Sequence, residues 1–411
     1  MKRIRPLVLL ALALSLVLAP VAWAAAQSAA TRSMSDRSPG ALVSHTLSTV
    51  TGVAISPLLG TSALGAYQWI AAKSEAARER LPWYAQPKFW VPALLVVLVC
   101  AAKDSTGVVL PPMLKKPLDA LEVVENKLSG LVAAGAVVPV ATDALWKLLQ
   151  QQTASPTAAL GGGHLAMIPL AVNWTPVLDV LTVPFAIAIF LIVWMASHAI
   201  NVLILLSPWG GIDAGLKAAR TGLLGLLTIT SMMSPWLGAV LSIAVIVVAY
   251  FVAGWAFRLT VFGAVLSWDF FTGRRGRFTP APDGNAMFSS STFAGVPVRT
   301  YGKVFRNPAG DALQFTYRPW LVLRPRTVAV PATPANLAVG RGLIFSIVTG
   351  TSGTLLLLPP RYRGHEEQLA AACAFGGGVR PAGLRKAWSS LRELIGGREA
   401  VAPAGAAATA P

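Results

Sequence analysis

The sequence predicts a mainly α protein: a polytopic helical membrane domain with broken helices, followed by a small cytoplasmic α+β domain. Three observations carry that expectation. Of the 411 residues 55% are hydrophobic and 12% are charged, against about 25% charged in an ordinary soluble domain; mean hydropathy is +0.61. Two apolar runs, 184–206 and 235–259, have the length needed to cross a hydrocarbon core of about 30 Å. Beyond residue 298 the runs shorten and are punctuated by turn residues, which is the pattern of strands.

The chain opens with "MKRIRPLVLLALALSLVLAPVAWAAAQ". Lys2, Arg3 and Arg5 precede an apolar core, and Ala22-Trp23-Ala24 forms an A-x-A site. Residues 1–26 therefore read as a secretory signal peptide cut after Ala24 or Ala26, with an uncleaved first helix as the other reading. A polar N-terminal segment, 27–45, leads into the helical transmembrane domain, 46–272. Its first apolar stretch, 45–72, is broken at Pro57 and Gly60. A mixed-charge loop fills 73–88. The next run, 89–102, is too short to span at about 1.5 Å per residue. Residues 103–127 read as polar, 128–146 as apolar around Pro139 and Asp143, and 150–163 as an exposed loop. Gly273-Arg274-Arg275-Gly276-Arg277 follows the last span. From Asp269 onward 17 Lys and Arg face 7 Asp and Glu, an excess of +10 within a whole-chain +17. Basic flanks stay on the cytoplasmic side, so a bacterial inner-membrane location with the C-terminus inside is expected. A linker covers 273–297, and the α+β domain covers 298–396. Within it, Gly350 to Thr354 divides "GLIFSIVTGTSGTLLLL" like a hairpin, and Leu384, Trp388, Leu391 and Ile395 recur at helical spacing. The tail, 397–411, is low-complexity and expected to be disordered.

One break occurs twice. "SPLLGTSALGA" begins at Ser56 and "SPWGGIDAGLK" at Ser207; both read S-P-x-x-G-x-x-A. Interrupted hydrophobic segments at corresponding places in two halves are what duplicated transporter folds leave behind; two ordinary interfacial turns would look the same. Physically, Pro208 removes an N–H and clashes with the preceding turn, while Gly210 and Gly211 permit unusual backbone angles. Ser207 or Asp213 is placed to cap a new helix. The stretch is expected to join two helices, at the membrane surface or at the mouth of a cavity.

Over residues 56–262 the order of Ser-Pro break, acidic loop, small-residue helix and "SHAINVLILLSPWGG" resembles the uncharacterised bacterial polytopic membrane proteins of domain of unknown function family four-one-two-six. His198, Ser207 and Pro208 match its histidine followed by a Ser-Pro joint, and Lys103, Asp104 and Asp119 resemble its acidic loop. "TITSMMSP" lacks the acidic pair that the family places after the second joint. The resemblance implies a membrane architecture and no assigned activity.

Ionisable and polar residues inside spans are the functional candidates. His198 and Asn201, at i and i+3, share one face of the 184–206 span; they line a polar path or bond a neighbouring helix. Asp213 and Lys217 form an i,i+4 pair of the kind that usually faces water. Asp143 and Asp179 stand near the ends of apolar runs. The candidate path or joint thus comprises His198, Asn201, Ser207, Pro208, Gly210, Gly211 and Asp213. No P-loop, H-E-x-x-H or G-x-S-x-G occurs, the four histidines are scattered, and Cys100 and Cys373 form no CxxC pair. No catalytic residue, metal or cofactor is expected. Two functions remain: a carrier or passage for a small solute, or an anchor presenting a basic cytoplasmic domain. The partners expected are the lipid bilayer and anionic lipid head groups or a cytoplasmic protein, rather than nucleic acid.

Overall fold

The computed structural model describes residues 39–107, 112–153, 175–206, 210–281, 284–307, 312–342, 345–351 and 353–382. The expected signal peptide, Ser207 and Pro208, residues 154–163 of the expected loop, the helical repeat from Leu384 and the tail lie outside them. The chain divides into two compact units, Met1–Gly263 and Ala264–Pro411.

The first unit is helical. Its elements are α1 (Pro39–Ile55), α2 (Pro57–Ala71), α3 (Glu75–Glu79), α4 (Pro87–Gly107), α5 (Pro112–Thr153), α6 (Thr175–Leu206), α7 (Gly210–Met233) and most of α8 (Pro235–Phe271), whose last turns, from Ala264, belong to the second unit. Proline stands at the first position of α1, α2, α4, α5 and α8, where its missing N–H costs nothing and its fixed φ suits the helix. Among the described residues three stretches are long and apolar enough to cross a membrane: Glu122–Ala144, Val183–Leu206 and Pro235–Phe271. Several boundaries differ from the sequence reading. The 27–45 segment already contains the start of α1. The 89–102 run is the middle of a longer α4, because Lys103 and Asp104 do not stop a helix. The polar stretch 103–127 supplies the first turns of α5, whose 42 residues also absorb Gln150 to Gln152. At about 1.5 Å per residue α5 is roughly 63 Å long, twice a bilayer core.

Val50, Val53, Ala54 and Ile55 of α1 pack with Ala133 and Val137 of α5, Phe190 and Val193 of α6, Leu227 of α7 and Ala249 of α8. Leu95, Val99, Leu131, Phe185, Val240, Val248 and Phe251 remain exposed. A bundle apolar both inside and outside is compatible with a membrane protein.

The joint at Ser56 is a sharp elbow. Ser56 leaves the helical region (φ −137°, ψ 86°), its N–H donates to the Gly52 carbonyl, and Gly60 N–H donates to the Ser56 carbonyl. A Cβ on Gly60 would stand 2.8 Å from the Cα of Val53, seven residues earlier. In a continuous helix that separation would be about 10 Å, so the chain has turned back on itself. The same pattern occurs between α7 and α8 at Ser234-Pro235-Trp236-Leu237-Gly238. Ser234 N–H donates to the Thr230 carbonyl and Gly238 N–H to the Ser234 carbonyl; a Cβ on Gly238 would stand 2.9 Å from the Cα of Ser231, again seven residues back. S-P-x-x-G is therefore present three times, and in the two described cases it builds one geometry.

Among the described residues the second unit is a sheet of eight strands in the order β4-β3-β2-β1-β7-β6-β5-β8. The strands are β1 (Asn285–Ser289), β2 (Tyr301–Arg306), β3 (Leu313–Tyr317), β4 (Arg326–Ala329), β5 (Ala338–Arg341), β6 (Ile347–Gly350), β7 (Gly353–Leu357) and β8 (Val379–Pro381), with one short helix, α9 (Glu366–Ala372). All pairings are antiparallel except β5 with β8. Met287, Val304, Phe315, Leu337, Val348, Leu356, Tyr362 and Leu369 form its own core. The expected hairpin is the β6–β7 pair. The expected linker, 273–297, is corrected: it contains β1, which pairs with both β2 and β7. Its Pro, Ser and Gly belong to turns around a strand too short to register as a run.

Candidate functional site

The elbow at Ser56 sets the site. The last carbonyls of a helix have no partner within it, and where they are buried each must find one elsewhere. The Ile55 carbonyl accepts from Ser197 Oγ on α6 at 2.6 Å and from Arg220 Nε on α7 at 2.9 Å. Arg220 Nη1 also donates to Asn201 Oδ1 at 2.7 Å. One guanidinium thus joins the broken helix to two others, using the fork of donors that arginine holds rigid.

Three helices contribute polar stripes at helical spacing. On α5, Glu122, Glu125, Asn126 and Ser129 fall at i, i+3, i+4 and i+7; on α7, Lys217, Arg220 and Thr221 do the same. On α6, Ser197, His198 and Asn201 share one face. Lys217 pairs with Glu122 at 3.2 Å, and Ser129 donates to Glu125. His198 Nδ1 meets Asn126 Oδ1 at 2.8 Å. With the amide oxygen accepting, the neutral ring donates from Nδ1 and presents a lone pair at Nε2. The ring is stacked on Trp194 with centroids 5.2 Å apart. His198 Nε2 and Asn201 Nδ2 are buried and have no hydrogen-bond partner among the described residues.

Between these stripes and the elbow lies a cavity of about 150 Å³. Its wall includes Ser56 and Pro57 of the elbow, Cys100 of α4, Glu122, Glu125 and Asn126 of α5, Asn201 of α6, and Lys217, Arg220 and Thr221 of α7. Two carboxylates and two cations thus face one small volume inside an otherwise apolar bundle. Among the described residues no group of His, Cys, Asp and Glu is arranged to hold a metal.

Of the residues expected from sequence, His198 and Asn201 are buried together in this cluster. Gly210 and Gly211 open α7, and Asp213 follows on its first turn. Ser207 and Pro208, and the Asp213 side chain, lie outside the described residues. Lys217, expected on a solvated face, pairs with Glu122 on α5. Asp143 makes an exposed pair with Lys147. Glu122, Glu125, Asn126 and Arg220 were not singled out by sequence, and Lys217 was noted only as a partner for Asp213. Their signal was present as the i, i+3, i+4 stripes; on α5 it was hidden because 103–127 read only as a polar stretch.

The second unit has a buried polar cluster of its own. Asp269, on the last turn of α8, receives Arg361 Nε at 2.7 Å with both side chains almost wholly enclosed. Burial raises the Cys373 thiol to about 11, outweighing a hydrogen bond from Asn285 and the charge of Arg306, which act the other way.

No family model, curated protein or solved structure matches this chain.

Proposed function

We propose that the helical unit resides in a bacterial inner membrane and is a carrier or passage for a small polar solute, bound at the elbow between α1 and α2. The observation that supports this most is the cavity walled by Glu122, Glu125, Lys217 and Arg220. Charged side chains within apolar helices are expensive and are kept where a polar path or ligand repays them. A broken helix whose freed backbone lines a cavity is also how transporter folds hold their solutes. The C-terminal unit, with its +10 excess from Asp269 onward, belongs on the cytoplasmic side in this reading.

Cys100 lies in the cavity wall and Cys373 is enclosed in the other unit, so the protein carries its own probe and control. In proteoliposomes, a cationic water-soluble thiol reagent should modify Cys100 and leave Cys373 intact. A panel of small zwitterionic and polar solutes should contain at least one that enters these vesicles faster than protein-free ones, with entry lost on Arg220→Met. An unreactive Cys100 and no flux of any solute would return the helical unit to the role of an anchor presenting the basic unit to anionic lipid or a protein partner.

A further inference from the structure

The turn between β3 and β4 carries "RPWLVLRPR", residues 318–326. Trp320, Leu321, Val322 and Leu323 are exposed at 44, 45, 80 and 51%. A half-buried strand would alternate apolar with polar residues; here four large apolar side chains in a row face outward. Trp320 (φ 54°) and Leu321 (φ 60°) occupy the left-handed region, which large side chains adopt only when the surrounding structure holds them there. The turn is held: Leu321 N–H donates to the Arg318 carbonyl and Leu323 N–H to that of Pro319. Arg318, Arg324 and Arg326 flank it and are exposed. No Asp or Glu occurs between Asp311 and Glu366.

We propose that this turn is a membrane-inserting finger, with Trp320 to Leu323 entering the acyl boundary of an anionic bilayer and the three arginines binding lipid phosphates. Trp at the headgroup level with Leu and Val below it is the composition of interfacial anchors, and guanidinium groups pair with phosphate through two parallel hydrogen bonds. A second copy of the chain fits worse. Face-to-face fingers would bring six arginines together, and four side chains fall well short of the roughly 800 Å² per partner that a stable interface buries. The proposal rests on the membrane residence proposed above and is independent of the cavity.

The test uses the full chain in lipid nanodiscs, with Cys100 and Cys373 replaced by Ala and a nitroxide attached through V322C or, as a control in the exposed β6–β7 turn, T351C. In discs containing phosphatidylglycerol, the V322C label should show a several-fold higher ratio of oxygen to nickel-chelate collisions than the T351C label. Phosphatidylcholine alone, or the triple change R318Q/R324Q/R326Q, should bring that ratio towards the control. Equal, water-like ratios at both positions overturn the proposal, as does dipolar broadening between V322C labels, which would place a second copy there. A lipid-like ratio indifferent to headgroup charge and to the triple change overturns the role given to the arginines. Failure of the chain to enter nanodiscs at all would instead contradict its membrane residence.

Discussion

Arg220 donates to the Ile55 carbonyl and to Asn201 at once, so its loss would take this donor from the Asn201 oxygen and leave the Ile55 carbonyl with Ser197. A hydrogen bond to a charged group contributes about 1.5–3 kcal/mol; with Ser197 still serving Ile55, Arg220→Met should lower the detergent-solubilised stability by at least one such bond, while Arg220→Lys, which lacks the fork, should recover only part. Thermal unfolding of the two variants compares them directly. In the sheet unit, Asp269→Asn would strand the Arg361 guanidinium in an enclosed site. Breaking one side of a buried pair typically costs about 3–5 kcal/mol; Arg361→Met made together with Asp269→Asn should be milder than Asp269→Asn alone. Cys373 supplies a pH effect whose sign is fixed by its shift. Its proton is held more tightly when folded, about 11 against an ordinary 9.0. Its contribution to stability is complete below pH 9 and is lost as pH rises towards 11. Iodoacetamide at pH 8 should leave it unmodified in the folded protein, and Cys373→Ala should flatten the stability decline across that window. At this scale the sequence disclosed His198 and Asn201, since polar residues stand out in an apolar run. It concealed Arg220 and Glu122, whose meaning depends on partners in other helices.

The elbows are properties of elements rather than of single residues. Ser and Pro end one helix and start the next, and glycine four residues after the serine lets the second leg fold onto the first. At Gly60 a methyl group would meet the backbone of Val53, which cannot rotate away, so Gly60→Ala should destabilise by about 1–3 kcal/mol. Gly222 on α7 has open space where its Cβ would be; Gly222→Ala should stabilise by up to about 1 kcal/mol through helix propensity. Equal responses of the two variants in thermal unfolding would refute the tight-elbow account. The sequence revealed the breaks because proline and glycine act locally. It misplaced the start of α5 because Lys, Glu and Leu are good helix formers that also read as a polar loop, and only packing decides between those.

For the molecule as a whole, the boundary of the sheet unit matters most. A fragment starting at residue 298 would lack β1, which lies between β2 and β7, and would also lack Phe278, which packs on the core. It should give the amide spectrum of an unfolded chain. A fragment from residue 269 to 382 retains β1, the Asp269–Arg361 pair and the bond between His365 and the Arg275 carbonyl, and should give dispersed resonances. The change from long spans to short strands was legible in sequence. The position of β1 was not, because its pairing partners are supplied by distant residues.

The elbow at Ser56 also has a history in time. Ile55 and Arg220 are separated by 165 residues, and ribosomes add roughly 5–20 residues per second. The carbonyl that Arg220 will cap is therefore made some 10–30 s before its donor. During that interval the first two helices must be shielded by lipid, water or a chaperone. A nascent chain halted before residue 220 should keep an open elbow and be cleared by proteases faster than one halted shortly after it.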